Sequence, residues 1–446
     1  MSKGKQVGSL KVDRIAAGVS AIDIGSEALF VAVADAPVKQ FGTFTSELAQ
    51  LGNYLREHGV REVAMEATGV YWIPLHDHLS KCGFKVTVFN GAHARNLPGR
   101  KTDVADCQWH AMLHSHGLLS PCFIPPEEIL ELRSLYRLRE DHVAQGAMYI
   151  QHMQKALVLM NIRLHEVISQ INGVSGLRVV ESIIDGERNP HKLVELCDGQ
   201  ILSRKRERVI ASLEGTWESH HLFALRQALA GYRFCQGQMV ECDKQIEAWL
   251  QNQTKGLPPQ EPKVSSKVRH NAPQIEHLHE HLVTLCEGRD AAALPGISQL
   301  GFMKLVGELG TDLSGWKDGK HFTAWLGLAP GRNESGKRRK RASRRKTRCG
   351  QIFKEAAMSV GRSKGLALGA FYRRIRGRTC AAVANTATAR KIAILYYNLM
   401  TKGVEYVEQG LLEYQRQYRQ QSVKHVKKMA KKLGMAVVDI QTGVIM

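Results

Sequence analysis

The chain has 446 residues, with 62 Lys and Arg against 42 Asp and Glu and a formal net charge of +20. That length is too great for a single core and predicts two or three domains, while 43% hydrophobic and 7% aromatic residues exclude wholesale disorder. The charge is unevenly placed: residues 332–446 hold 27 basic and 6 acidic side chains, whereas residues 1–331 hold 35 and 36. A last quarter so basic points to a polyanionic partner, most simply nucleic acid. No apolar run reaches the roughly 18 residues that a membrane helix needs, and Met1 to Asp13 lacks the apolar core of a secretory signal. Nine cysteines (82, 107, 122, 197, 235, 242, 286, 349 and 380) include no CxxC pair. They read as reduced cytoplasmic thiols, with neither a disulfide framework nor a zinc site expected.

In chain order, VSAIDIG and ALFVAVA between Val19 and Ala34 are β-branched and apolar, the pattern of adjacent, largely buried strands. A third strand is expected at Phe41–Thr45, a helix over Ser46–His58, a strand at Glu62–Glu66 and a helix from about Val70 to Cys82. Lys85–Phe89 is a further strand, and DVADCQWHAMLHSHG is a helix ended by Gly117. Strands that first run together and then alternate with helices predict an α/β domain over residues 15–125.

A long helical pattern follows Pro125 and Pro126. Leu130, Leu135, Leu138, Met153, Leu157, Met160, Leu164 and Ile171 recur at helical intervals, and a second long helix is expected over Trp217–Leu250. Residues 126–253 thus form a helical, coiled-coil-like middle region. Residues 254–274, with four prolines, read as a linker. Residues 275–400 form a mostly helical domain and residues 401–446 a basic helical tail.

Four carboxylates stand out. Asp23 ends the first strand, Glu66 ends the EVAME strand, and Asp103 and Asp106 lie three apart at a helix start, on one face. Clustered carboxylates repel one another unless a hard cation neutralises them. An oxygen-only set suits Mg²⁺ or Mn²⁺, and two such ions activate a nucleophile and stabilise a leaving oxygen at a phosphodiester. The plainer reading makes Asp23 a turn residue and Asp103 a helix cap.

AIDIGSEALFVAVAD, VAMEATGVYWIPL and GRKTDVADCQWHAMLHSHGLL resemble, in order and spacing, the three motif blocks of the RuvC-like DEDD domain of insertion-sequence 110 family transposases. The resemblance implies a ribonuclease-H-like fold for residues 15–125 and a catalytic, metal-binding tetrad of Asp23, Glu66, Asp103 and Asp106. An actin/hexokinase-fold phosphotransferase opens with a similar strand–Asp–Ile–Gly hairpin. It would need a later Gly-rich adenosine loop, which is not found.

LPGISQLGFMKLVGELG (Leu294–Gly310) reads as a short helix, a glycine turn and a second helix. It is either a helix–hairpin–helix phosphate seat or an ordinary helical hairpin. Arg332 to Arg348 then place ten Lys or Arg in seventeen residues. Within this tract, Lys337, Arg338, Arg339, Lys340, Arg341, Arg344, Arg345 and Lys346 are the candidate nucleic-acid contacts; the alternative is a solvated loop. The GLAP…SG arrangement resembles the second conserved domain of the same family, which implies that Ser335 is a catalytic nucleophile. Ser343 is the rival serine.

The resemblance implies a prokaryotic, nucleoid-associated recombinase that cuts and rejoins double-stranded donor and target DNA. It further implies a bridge RNA that specifies both DNAs by base pairing, and a homo-oligomer built as a dimer of dimers. A junction resolvase acting by hydrolysis alone would need no serine, and a non-enzymatic nucleic-acid-binding protein would leave the tetrad without a role.

Overall fold

The computed structural model describes residues 17–33, 36–91, 102–264, 271–330, 346–405 and 410–438, with the backbone alone at 334–335, 338–339 and 411. It divides into two compact units, residues 1–124 and 125–446. The protein is mostly helical, with one mixed five-stranded sheet.

The first unit contains β1 (Val19–Ile24), β2 (Ala28–Val33), β3 (Lys39–Gly42), α1 (Thr45–Glu57), β4 (Glu62–Glu66), α2 (Trp72–Lys81), β5 (Lys85–Phe89) and α3 (Asp103–Ser115). The sheet order is β3-β2-β1-β4-β5. β2 is antiparallel to both β1 and β3, whereas β4 is parallel to β1 and β5. β1 is apolar on both faces and so takes the centre, while β3, with Lys39 and Gln40 exposed, takes an edge. One face packs Ile22, Ile24, Val31, Val63 and Met65 against Leu48, Leu51 and Leu55 of α1 and Leu75 and Leu79 of α2. The other face presents Ala21, Ala64 and Phe89 to Leu119, with Ala111 and Leu113 of α3 alongside. This sheet is consistent with the expected ribonuclease-H-like fold. The third strand lies at Lys39–Gly42 rather than Phe41–Thr45, because the Glu47 carboxylate accepts a hydrogen bond from the Phe44 N–H (3.3 Å) and starts α1 at Thr45.

The second unit contains α4 (Glu127–Leu159), α5 (Leu164–Val167), α6 (Val174–Ile184), α7 (Pro190–Val194), α8 (Gly199–Ser212) and α9 (Ser219–Thr254). After these come α10 (Leu278–Leu285), a 3₁₀ turn at Ala291–Ala293, α11 (Gln299–Leu309) and α12 (Gly319–Trp325). The hairpin β6 (Glu334–Ser335) and β7 (Arg338–Arg339) precedes α13 (Arg348–Arg362), α14 (Ala367–Arg378), α15 (Ala381–Lys402) and α16 (Gly410–Lys432). Among the described residues no helix is long and apolar enough to cross a membrane.

The periodicity that predicts one helix through Ile171 is interrupted at Leu159. Asn161 adopts a left-handed backbone (φ 58°), and the Ile162 N–H turns back to the Leu157 carbonyl (2.9 Å). Of the expected stripe on α4, Met153 and Leu157 are buried, but in the first half of the helix the buried positions are Ile129, Leu132 and Tyr136, while Leu138 is 49% exposed. The next buried position is taken by Arg139, whose guanidinium bonds Asp243 of α9 at 2.5 Å with both side chains 2% exposed. α4 and α9 pack antiparallel: Gly146 sits against Cys235 and Tyr232, and the Tyr149 ring fills the space beside Gly231. The end of α4 and the start of α9 share a core with α5–α8, whereas the start of α4 and the end of α9 share another with residues 278–400. Around the prolines of 254–274, the backbone N–H groups of Gln260, Lys263 and Gln274 bond Thr284, Asp290 and Asp243, at 3.0, 3.0 and 2.9 Å. Buried Glu308 of α11 accepts from Arg133 (2.7 Å), Arg137 (2.8 Å) and Tyr136 of α4. Burial pushes this carboxyl up, but the arginines and the Tyr136 hydroxyl hold it below its ordinary value.

Removing one partner of the Arg139–Asp243 pair leaves an uncompensated buried charge. Asp243→Ala is therefore expected to destabilise the second unit by about 3–5 kcal/mol, and Arg139→Met combined with Asp243→Leu to recover most of that loss. Thermal and urea unfolding of the three proteins checks this; equal stability of the single variant and the parent would contradict it.

Candidate active site

The parallel pairing of β1 and β4 sets Ile22 beside Met65, so the next residues, Asp23 and Glu66, end neighbouring strands on the same side. Both side chains share the face that carries Ala21 and Ala64. Those two alanines leave room for α3 to lie close to the sheet. Cys107 of α3 reaches the backbone itself, its thiol donating to the carbonyls of Ala21 (3.2 Å) and Phe30 (2.9 Å). Burial raises this thiol to about 12, so it stays a neutral packing group.

Thr102 caps α3 by accepting from the Ala105 N–H at 3.3 Å, which puts Asp103 and Asp106 in the first helical turn. There the positive end of the helix dipole favours them. Asp103 is exposed and Asp106 half-buried. The four expected carboxylates are thus brought together. Asp23 is pushed up to about 6, by burial first and then by the charges of Asp103, Glu66 and Asp106. Among the described residues no cluster of three or more His, Cys, Asp or Glu is arranged to hold a metal ion. The donor chemistry nevertheless fits a hard divalent cation, because all-oxygen ligands and mutually repelling charges are what such an ion relieves.

Gly91 is a site residue that motif reading passed over. The Glu66 carboxylate lies where a Cβ at Gly91 would stand, so a glycine just beyond β5 keeps open the space for this side chain. Its only sequence signal is its place two residues after a buried strand. Beyond Glu66, Val70, Tyr71 and Ile73 are exposed at 68%, 53% and 40% at the start of α2.

In the second unit, Ser335 closes β6 and pairs through its backbone with Arg338 of β7, with Glu334 opposite Arg339. Lys337, Lys340, Arg341, Ser343, Arg344 and Arg345 lie outside the described residues. Lys346 is exposed. Next to it, Thr347 donates to the Leu326 carbonyl (3.1 Å) and caps α13 by accepting from the Gly350 N–H (3.0 Å). The first helix expected in the Leu294–Gly310 motif is not formed: a 3₁₀ turn at Ala291–Ala293 ends just before it, and Leu294 is extended. At the start of α11, Ser298 accepts from the Gly301 N–H (3.1 Å), and Glu355 lines the adjoining cleft. A helix start already capped and faced by a carboxylate is a poor phosphate seat, so the ordinary-hairpin reading fits better.

Two outcomes follow. Gly91→Ala displaces Glu66 and is expected to lower strand exchange on the order of 10²-fold while the protein stays folded; normal exchange between plasmids in Mg²⁺ would refute the placement. Asp23 costs the folded state stability once ionised, a cost that is absent below about pH 4, grows toward pH 6 and is constant above it. Without divalent cations, Asp23→Asn should therefore melt higher than the parent at pH 7 and equally at pH 3.5.

Residues 21–162 match a DEDD transposase family model of the IS110 type, and residues 290–373 match the model described as Transposase IS116/IS110/IS902 family. Among curated proteins none matches. Domains of the DEDD type generally use a divalent metal, and a transposase takes DNA as its partner. The two matched regions together span just over half of the chain, and the first carries all four carboxylates. The chain therefore belongs to the IS110 family of transposases and is a DNA transposase of an insertion element.

Proposed function

We propose that the transposase cuts and rejoins double-stranded donor and target DNA with two sets of groups, the carboxylates of the first unit and Ser335 of the second. The observation that carries this reading is the grouping of Glu66, Asp103 and Asp106 around Asp23 inside the DEDD match. Asp23, Glu66, Asp103 and Asp106 would hold Mg²⁺ or Mn²⁺, which when bound supplies Lewis-acid stabilisation of a phosphodiester in reaction. The first helical turn of α3 orients two of these carboxylates, and Gly91 leaves room for a third.

Ser335 is the nucleophile in this mechanism. Its Oγ forms a bond to the scissile phosphorus while one bridging P–O bond breaks, and the Oγ proton ends on the departing strand as a hydroxyl. The number of phosphoester bonds is conserved, so strands reseal without external energy. The position of Ser335 at a strand end before a glycine supports this role, as does its place in the second matched region. The cations at 337–341 and 344–346 hold nucleic-acid backbone near the serine. A bridge RNA specifies donor and target by base pairing, and the serine of one subunit completes the carboxylate site of another in a dimer of dimers. Both proposals rest on the family, whose members act on nucleoid DNA in the cytoplasm.

A nicked target that traps the reaction, followed by a denaturing gel, tests the covalent step. Labelled DNA should migrate with the parent protein and be lost in Ser335→Ala, while DNA binding persists because no charge is removed. Loss in Ser343→Ala instead would move the nucleophile to that residue. No adduct in the parent would favour hydrolysis of the resolvase kind.

A further inference from the structure

The C-terminal helix α16 lies beyond both family matches, and the catalytic reading gives it no role. Over Gly410–Lys432 it carries seven Lys or Arg against Glu413 alone. It docks on α14 through aromatic and guanidinium groups. The Arg374 guanidinium lies 4.1 Å from the Tyr418 ring centre, 5.5 Å from that of Tyr414 and 5.4 Å from that of Phe371 on its own helix. Arg378 adds a hydrogen bond to the Tyr418 hydroxyl. Tyr414 and Tyr418 are four apart and share one face of α16, half-buried against α14. Arg416, Lys424 and Lys431 fall on other faces of the helix; the Arg416 side chain is 73% exposed, and Lys424, Lys428, Lys431 and Lys432 are all exposed.

We propose that the outward side of α16 is a binding surface for the phosphate backbone of duplex DNA. Acidic residues do not balance its cations, so it attracts a polyanion. The outward cations are mostly lysines, point charges that suit phosphates better than the bidentate reading of base edges. Both tyrosines are occupied by arginines of α14, so the surface lacks a free aromatic platform for unpaired bases. A helix of 23 residues is about 34 Å long, close to one turn of B-form DNA, and can follow several successive phosphates. The surface would hold flanking DNA without reading its sequence, whichever residues perform the chemistry.

The test uses the full-length protein and a 30-base-pair duplex of arbitrary sequence, titrated by fluorescence anisotropy at several salt concentrations. Replacing Lys424, Lys428, Lys431 and Lys432 by Gln should weaken binding at least tenfold at 0.15 M salt. The slope of log affinity against log salt should fall by about 3 to 4 if all four contact phosphates. Replacing the same lysines by Arg should preserve both values, which separates lost charge from disturbed folding. Unchanged affinity and slope in the Gln variant would overturn the proposal and make α16 a solvated face. Val426 and Met429 are also exposed on this helix, as is Leu433 just past its end. Loss of binding to phosphatidylserine vesicles, or to an RNA hairpin, with duplex binding intact would equally overturn it.

Discussion

Electrostatic repulsion among four carboxylates is the constraint around which the first unit is built. Left to themselves, Asp23, Glu66, Asp103 and Asp106 would separate, and every local feature near them opposes that tendency. The parallel register of β1 and β4 sets two of them side by side. Alanines at 21 and 64, with the Cys107 thiol bonded to two strand carbonyls, bring α3 against the sheet. Thr102 fixes where that helix begins, and Gly91 keeps a space for Glu66. The result is a carboxyl group at Asp23 held up to about 6, so the folded state stores unfavourable charge that a divalent cation would relieve. Stability is given up where a function needs convergent charge.

The second unit uses buried charge in the opposite sense, in pairs that neutralise. α4 and α9, of 33 and 36 residues, present long apolar stripes that by themselves would tolerate sliding. The Arg139–Asp243 pair admits one register, because any shift would bury an unpaired ion. Asp243 also accepts from the Gln274 N–H, tying the chain after the prolines to the same point. Glu308, gripped by Arg133, Arg137 and Tyr136, joins α11 to α4 in the same manner. Since α4 contributes to both cores of this unit, these pairs set the relation of the helical middle region to the helices that follow it.

Composition alone treats the basic last quarter as one body of charge, but its arginines divide by task. Arg373 closes the end of α13 by donating to the Ser363 carbonyl, and Arg374 and Arg378 clasp the tyrosines of α16. These are structural cations. Lys424, Lys428, Lys431 and Lys432 of α16 remain turned to solvent. Net charge therefore identifies the kind of partner, whereas the packing of individual guanidinium groups decides which cations are left to meet it.

The sequence by itself determined the local features: the strands around Asp23 and Glu66, the acidic first turn of α3, and the long amphipathic helices. These follow from short-range periodicity and capping, which nearby residues specify. Where propensity is weaker, it placed β3 a few residues late and ran α4 on to Ile171 past its end at Leu159, since a single capping carboxylate or one left-handed asparagine outweighed the pattern. It missed Arg139 in the first half of the buried stripe of α4 because an arginine looks polar until its partner, 104 residues away, is known. Gly91 and Cys107 had no legible role for the same reason: one matters for a side chain 25 residues earlier, the other for carbonyls 86 and 77 residues away. Only the tertiary structure decided those long-range contacts, because burial and like-charge proximity depend on which distant segments pack together, and no window of sequence contains both partners.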